Sequence, residues 1–299
     1  MYDVIVLTQA EYIDPPNVDW YVQNVLDEDN YVLDALREQG LKVEKKDWAD
    51  PEFDWSTTRS VIFRTTWDYF DRYSEFAPWL KKITKVCTLL NSAEIIQWNI
   101  DKHYLGDLMD AGLNVAPTHF LKRESNTTLQ VLFNQTGWSE AVLKPTISGA
   151  ARHTYRLTPK TALKHESILK TLLQNEDMIF QEFLNDIVSF GEISLMYMGG
   201  EFTHAIRKIA KDGDFRVQDD HGGRVVDHNA TKEEIEFGLA SLKACPFETV
   251  YARIDVVRDN DGKLSLCELE LIEPELWFRN NPDAATILAK ACKKILDSK

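Results

Sequence analysis

The stretch Val250-Tyr-Ala-Arg-Ile-Asp-Val-Val-Arg258, the turn Asn260-Asp-Gly262 and the return Lys263-Leu-Ser-Leu-Cys-Glu-Leu-Glu-Leu271 read as one β-hairpin carrying acids on apolar strands. Residues two apart on a strand point to one face, so Glu268 and Glu270 project together, and an antiparallel neighbour can place Asp255 beside them. Carboxylates crowded on one face repel one another unless a cation lies between them. Hard oxygen ligands favour Mg²⁺ or Mn²⁺, and Mg²⁺ takes few protein carboxylates and completes its shell with phosphate oxygens. The plainer alternative is a solvated strand face paired with Arg253, Arg258 or Lys263.

Working outward, the preceding segments are also strand-rich. Residues 178–183, 192–198 and 201–207 read as strands, the last two joined by Gly199-Gly200. A polar loop spans 211–224, and a helix over 231–244 starts on a capping box, Thr231 with Glu234. A final helix covers 284–296. Upstream, 141–144 and 154–157 read as a hairpin around the small-residue loop 146–151, followed by a helix at 160–174. A helix is expected over 100–110, an extended piece at 118–121 and a helix at 129–135. At the N-terminus, strands at 4–8, 41–45 and 60–63 alternate with helical sequence at 24–39, which Gly40 closes. That alternation predicts a small parallel α/β unit over about residues 1–95, so the fold class is α/β, with α+β character towards the C-terminus.

Basic residues form the second constellation. Lys144 ends an apolar strand and precedes Thr146-Ile-Ser-Gly-Ala-Ala-Arg-His-Thr154, whose small residues, Ser148 and Gly149 among them, let backbone N–H groups approach a phosphate. The pattern G-x-x-x-x-G-K-[ST] is absent, and no G-x-G-x-x-G follows a strand, which excludes a P-loop and counts against a dinucleotide-binding fold.

The chain has 299 residues, with 34 Lys and Arg against 48 Asp and Glu, a formal net charge of −14. So acidic a protein has no general attraction to nucleic acid or anionic membranes, and a bound phosphate needs a local basic site. Cys87, Cys245, Cys267 and Cys292 are widely spaced and form no C-x-x-C pair, so free thiols are expected. With no secretory leader or membrane-length apolar run to be read, a cytoplasmic location is expected.

Taken in order, these pieces resemble the ATP-grasp superfamily, especially its glutathione-synthetase-like and ribosomal-protein-modifying ligases. Residues 91–121 carry Asn91, Asn99, Asp101 and Lys102 in an N-x₇-N-x-D-K arrangement, then Ala111-Gly112 and Pro117-Thr118. Val142-Leu-Lys-Pro145, Phe180-Gln-Glu-Phe-Leu184, Gly191-Glu-Ile-Ser194 and Glu268-Leu-Glu-Leu-Ile-Glu-Pro274 follow in the superfamily's order. The resemblance implies an ATP-grasp fold with an N-terminal pre-ATP-grasp domain (residues 1–95), a first subdomain with lid and phosphate lysines (96–176) and a second with the metal and nucleotide site (177–299). Lys102 and Lys144 would meet the ATP phosphates, with Ser148 and Gly149 in the lid. Glu182, Phe183 and Leu184 would bind adenine, and Glu192 the ribose. Asp255, Glu268 and Glu270 would hold Mg²⁺ or Mn²⁺, although Glu270 stands where the family commonly has Asn.

Arginines complete what the resemblance implies. Arg207, ending the strand before the loop, matches the arginine that stabilises the transferred phosphoryl group, and is assigned with Lys144 to catalysis. Arg216, and Arg224 in Gly222-Gly-Arg224, match the loop that shapes the acceptor pocket. Arg64 and Asp68, just after an N-terminal strand, and Arg253 are the remaining substrate candidates. Trp67 and Tyr69 read equally well as core, while His153 and His221 are possible pocket residues. Thr203-His-Ala-Ile-Arg-Lys208 and Asp214-Phe-Arg-Val-Gln218 are similar to a cycloserine-forming subgroup.

The activity implied is an ADP-forming carboxylate–amine ligase that works through an acyl phosphate on an amino acid or short peptide, with a homodimer possible through the N-terminal unit. Two alternatives stay open on sequence: an ATP-binding protein on this scaffold without turnover, and a small-molecule kinase.

Overall fold

A computed structural model describes residues 1–149, 151–217 and 222–298. Ala150, Gln218 and His221, part of the readings above, lie outside the described residues.

The N-terminal strands form a parallel sheet. β1 (Tyr2–Thr8), α1 (Trp20–Glu38), β2 (Val43–Asp47), β3 (Thr58–Thr65), α2 (Tyr73–Ile83) and β4 (Thr88–Leu90) give the order β2-β1-β3-β4. Helix α1 begins four residues before the expected start at 24, because the Asp19 carboxylate accepts from the N–H groups of Tyr21 (3.0 Å) and Val22 (2.9 Å).

The helix expected over 100–110 is two helices, α3 (Ala93–Asn99) and α4 (Tyr104–Asp110). Between them the Lys102 N–H donates to the Thr146 carbonyl (2.9 Å). An amide spent on a distant strand end cannot join an i→i−4 ladder, so the helix breaks where Lys102 enters the site.

The second sheet is antiparallel. β5 (Thr118–Leu121), α5 (Leu129–Thr136), β6 (Ala141–Pro145), β7 (Tyr155–Leu157), α6 (Pro159–Leu172) and β8 (Met178–Glu182) pair in the order β5-β8-β6-β7. Its own apolar core includes Leu132, Phe133, Leu143, Leu169 and Phe180.

The third sheet follows the short helix α7 (Asp186–Ser189). It contains β9 (Glu192–Met198), β10 (Glu201–Ile209), β11 (Arg224–Asp227), β12 (Tyr251–Arg258) and β13 (Leu264–Glu270), ordered β11-β10-β9-β12-β13. Helix α8 (Lys232–Ala244) carries the expected capping box, and α9 (Asp283–Asp297) packs against α1. One face of this sheet joins Val4, Ile62 and Leu36 in a shared core through Met196, Met198 and Ile206.

Edge strand β13 has side chains where another strand would pair. Asn99 donates to the Leu269 carbonyl (2.7 Å) and accepts from the Leu271 N–H (2.9 Å). The Tyr104 hydroxyl accepts from Leu269 N–H (3.0 Å), and Asn91 donates to the Tyr251 and Leu271 carbonyls (2.9 and 2.8 Å). The two asparagines of the 91–102 motif thus tie the acidic hairpin to the preceding helices. Such bonds blunt the edge and fix where Glu268 and Glu270 stand.

Among the described residues no helix is long and apolar enough to cross a membrane. All four cysteines are free.

Candidate active site

A cavity of about 310 Å³ opens where the three sheets meet. The hairpin register puts Arg253 opposite Glu270 and Asp255 opposite Glu268; the register then shifts between Asp255 and Val256, and pairing resumes with Val256 opposite Leu266. All four therefore share one face, the one lining or backing this cavity.

The three carboxylates do not converge on a common point: no cluster of three metal-competent side chains occurs among the described residues. Each engages a cation. Arg253 donates through Nε to both Asp255 oxygens (3.1 Å each) and through Nη2 to Asp255 (2.9 Å) and to Glu270. Lys102 Nζ reaches Glu268 Oε1 at 2.8 Å and also donates to the Ser148 carbonyl (2.6 Å). Lys208 Nζ pairs with Glu192 and lies 3.3 Å from Asp255 Oδ2, while Ser194 Oγ donates to Asp255 Oδ1 (2.5 Å). The expected metal carboxylates Asp255, Glu268 and Glu270 thus stand in an interleaved row of acids and bases.

Electrostatics divides the acids into two groups. Burial pushes Asp255 up, but Arg253 and Lys208 outweigh it and hold the carboxyl below its ordinary range. Burial likewise raises Glu268, and Lys102 and Lys144 outweigh it in the same way. Glu270 goes the other way: burial, with Glu268 and Asp255 nearby, lifts it to about 8 despite Arg253. Burial lifts Glu273 to about 7, against the hydrogen bond from Tyr69. Two carboxylates thus stay ionised at neutral pH, while others are poised to exchange protons.

The donor set fits a hard divalent ion when its remaining ligands come from elsewhere. Asp255 and Glu268 face each other in register and offer ionised oxygens, and Mg²⁺ characteristically takes one or two carboxylates plus phosphate oxygens. Glu270 shares Arg253 with Asp255 but, unlike Asp255 and Glu268, has its carboxyl raised by burial to about 8.

The strand before the polar loop decides a further point. β10 runs to Ile209, two residues beyond the expected end, and alternation sends its last residues to opposite faces. Lys208 lines the cavity. Arg207 pairs across to Ile193 and Val226, and its guanidinium lies 4.3 Å from the Phe190 ring centroid, outside the cavity lining. Gly191 makes the Glu192–Lys208 pairing possible: its φ is +107°, and a Cβ there would lie 2.4 Å from the Lys208 carbonyl oxygen.

Of the remaining expected residues, Lys102, Lys144, Ser148, Gly149, Glu182, Phe183, Leu184, Glu192, Arg216 and Arg253 border the cavity. Phe183 lies under the Arg156 guanidinium (3.8 Å), and its carbonyl accepts from Asn260. Arg216 is folded onto Asp214 (2.7 Å). Arg224 is exposed at the start of β11, and Asp68 is engaged by Trp48 Nε1 and Arg72 (2.7 Å each). Arg64 is wholly buried and donates to the Pro274 carbonyl (2.9 Å). Arg64, Asp68 and Arg224 do not line the cavity. Trp67 and Tyr69 do, along with Glu273 and Trp277, which sequence reasoning did not single out. His153 is exposed beside Tyr155.

Residues 115–274 match the RimK-like ATP-grasp domain family, and residues 4–91 match the N-terminal domain of D-cycloserine synthetase DcsG. The cycloserine biosynthesis protein DcsG of Streptomyces lavendulae is 29% identical, over 87% of this chain and 91% of that protein. The crystal structure of D-cycloserine synthetase DcsG superposes with a TM-score of 0.86 at 27% identity, covering 98% of this chain and 99% of that one. The ATP-grasp ligase PsnB, complexed with a phosphomimetic variant of its minimal precursor, Mg and ADP, superposes with a TM-score of 0.64 at 17% identity, covering 99% and 100%. At that identity the likeness is one of fold.

Proposed function

Because the chain belongs to the RimK-like ATP-grasp family, we propose that the cavity under the β12–β13 hairpin carries out its reaction, the ADP-forming joining of a carboxylate to an amine. The observation that carries this reading is that Lys102, Lys208 and Arg253 interleave with Glu268, Asp255 and Glu270, the acids standing on one sheet face and Lys102 reaching them from the break between α3 and α4. Such a row can hold a triphosphate and its counterion, and it offers no nucleophile of its own.

Lys102 and Lys144 meet the phosphates from two sides, the first from the break between α3 and α4 and the second from the end of β6. The backbone at Glu182, Phe183 and Leu184 borders the adenine end. Glu192 stands at the inner wall, where its partner is Lys208. Asp255 and Glu268 would hold a divalent ion, which would supply charge neutralisation at the phosphates when bound. The substrate carboxylate attacks the γ-phosphorus, forming an acyl phosphate and releasing ADP. The amine then attacks the acyl carbon, loses a proton, and inorganic phosphate leaves. Lys208 and Arg253 face the charge that develops on the transferred group. Lys208 thereby takes the role that the resemblance assigned to Arg207.

The N-terminal aromatic side chains Trp67, Tyr69 and Phe70 line the cavity, and the similarity to ligases of small amino acids and peptides supports an acceptor of that class. The similarity to DcsG supports an amino-acid-derived substrate that closes on itself, with carboxylate and amine supplied by one molecule. The test is ADP release over a panel of amino acids, dipeptides and aminooxy-bearing amino acids, with products read by mass spectrometry. ADP release with a new amide or ring is expected. Phosphorylation of a single acceptor without C–N bond formation would indicate a kinase, and nucleotide binding without turnover a silent scaffold.

A further inference from the structure

Trp277 has a backbone φ of +47°, a left-handed conformation that a bulky L-residue seldom takes. It is 3% exposed and forms part of the cavity wall. The flanking backbone is gripped on both sides by one carboxylate from the N-terminal unit: Glu28 on α1 accepts from the N–H groups of Leu276 (2.7 Å) and Phe278 (3.0 Å). Arg64 lies 3.6 Å from Glu28 and holds the Pro274 carbonyl, while the Leu276 carbonyl is bonded to the His204 ring (2.9 Å).

This turn is not built to satisfy the indole N–H, which is buried with no partner among the described residues. A space-filling role would be met by Phe or Leu without that cost. The ring face, by contrast, is engaged. The Arg253 guanidinium lies 5.3 Å and Lys208 Nζ 5.7 Å from its centroid, within the range over which an aromatic quadrupole attracts cations.

We propose that Trp277 is a positioning residue for phosphoryl transfer, which holds Lys208 and Arg253 at the cavity wall, and that Glu28 fixes Trp277 there. The N-terminal unit thereby sets the cationic side of an ATP site whose other parts lie on the second and third sheets. The inference rests on the assignment of Lys208 and Arg253 to that site.

The test is kcat, KM for ATP and Tm for Trp277→Leu, Trp277→Phe and Glu28→Gln, with Lys208→Met as reference. Trp277→Leu and Glu28→Gln are expected to lower kcat at least about tenfold while KM for ATP moves less than about threefold, because the adenine segment and the other lysines are untouched. Trp277→Phe keeps a π face and is expected to restore most of kcat. A merely structural role would lower Tm and leave kcat per folded molecule unchanged. Folded Trp277→Leu with kcat within about twofold of the parent, while Lys208→Met is inactive, overturns the proposal. Should Trp277→Leu fail to fold, the isosteric Glu28→Gln is judged by the same criterion. An active Lys208→Met would instead overturn the site assignment itself.

Discussion

Arg253 stands directly opposite Glu270 in the β12–β13 register, and its guanidinium spans from that carboxylate to Asp255 on its own strand. Where the family commonly has a neutral Asn, this chain has an added carboxylate with its own counter-charge. The pair should therefore behave as a unit. Arg253→Met alone leaves buried carboxylates unpaired and is expected to cost about 3–5 kcal/mol of stability. Arg253→Met combined with Glu270→Gln should recover a substantial part of that loss, measured by denaturant unfolding as a double-mutant cycle. Strict additivity of the two changes would show that the pair is not coupled.

Arg207 and Lys208 provide a second test, because neighbours on a strand face opposite ways. Lys208→Met is expected to lower kcat by about 10²-fold or more, as for loss of a preorganised group facing transition-state charge. Arg207→Met, which among the described residues removes the contact with Phe190, should stay within about threefold in steady-state assays. The reverse ranking would return the role to Arg207.

That pair also shows how far the sequence could be read. The hairpin, the strand ending in Lys144, the capping box at Thr231 and the parallel N-terminal unit follow from periodicity and turn chemistry, which act over a few residues. Whether Arg207 or Lys208 faces the cavity depends on strand register, and a shift of one residue reverses every side chain. Likewise, nothing local to Lys102 says that its amide is spent on Thr146, so a broken helix reads as a continuous one. Trp277 and Glu28 lie far apart in the chain and carry no local pattern. The interleaving of acids with cations is a cross-strand property that alternation along one strand cannot reveal. Arg64, placed after a strand as a ligand contact would be, instead serves burial and the Pro274 carbonyl.

The loop at Ser148 and Gly149 has almost no room against the N-terminal unit. A Cβ on Gly149 would fall 2.5 Å from Phe70 Cε1. Gly149→Ala is therefore expected to raise KM for ATP by about tenfold, since the loop carries the carbonyl that Lys102 Nζ donates to. Phe70→Ala in the same chain should restore much of the affinity, read from the KM values of the two variants and their combination. No rescue would mean that Phe70 is not the obstacle.

Buried acids give the ligand-free protein a defined pH dependence. Burial raises Glu28 to about 7, against the pull of Arg64, Glu273 to about 7 and Glu270 to about 8, from an ordinary value of 4.5. Between these limits the folded state binds more protons than the unfolded one, so stability falls as pH rises from about 4.5 to about 8. Tm is accordingly expected to be lower at pH 8.5 than at pH 5.5, and Glu28→Gln should flatten part of the slope. A Tm that rises across this window would contradict the assignment.

The central claim, carboxylate activation by phosphoryl transfer in this cavity, is tested most directly by oxygen tracing. A turnover-competent substrate labelled with ¹⁸O in its carboxylate is converted with ATP, and the released inorganic phosphate is analysed by mass spectrometry. An acyl phosphate requires one ¹⁸O atom per phosphate released, with the signal abolished in Lys144→Ala and Glu268→Gln. Product formed with unlabelled phosphate would contradict the account.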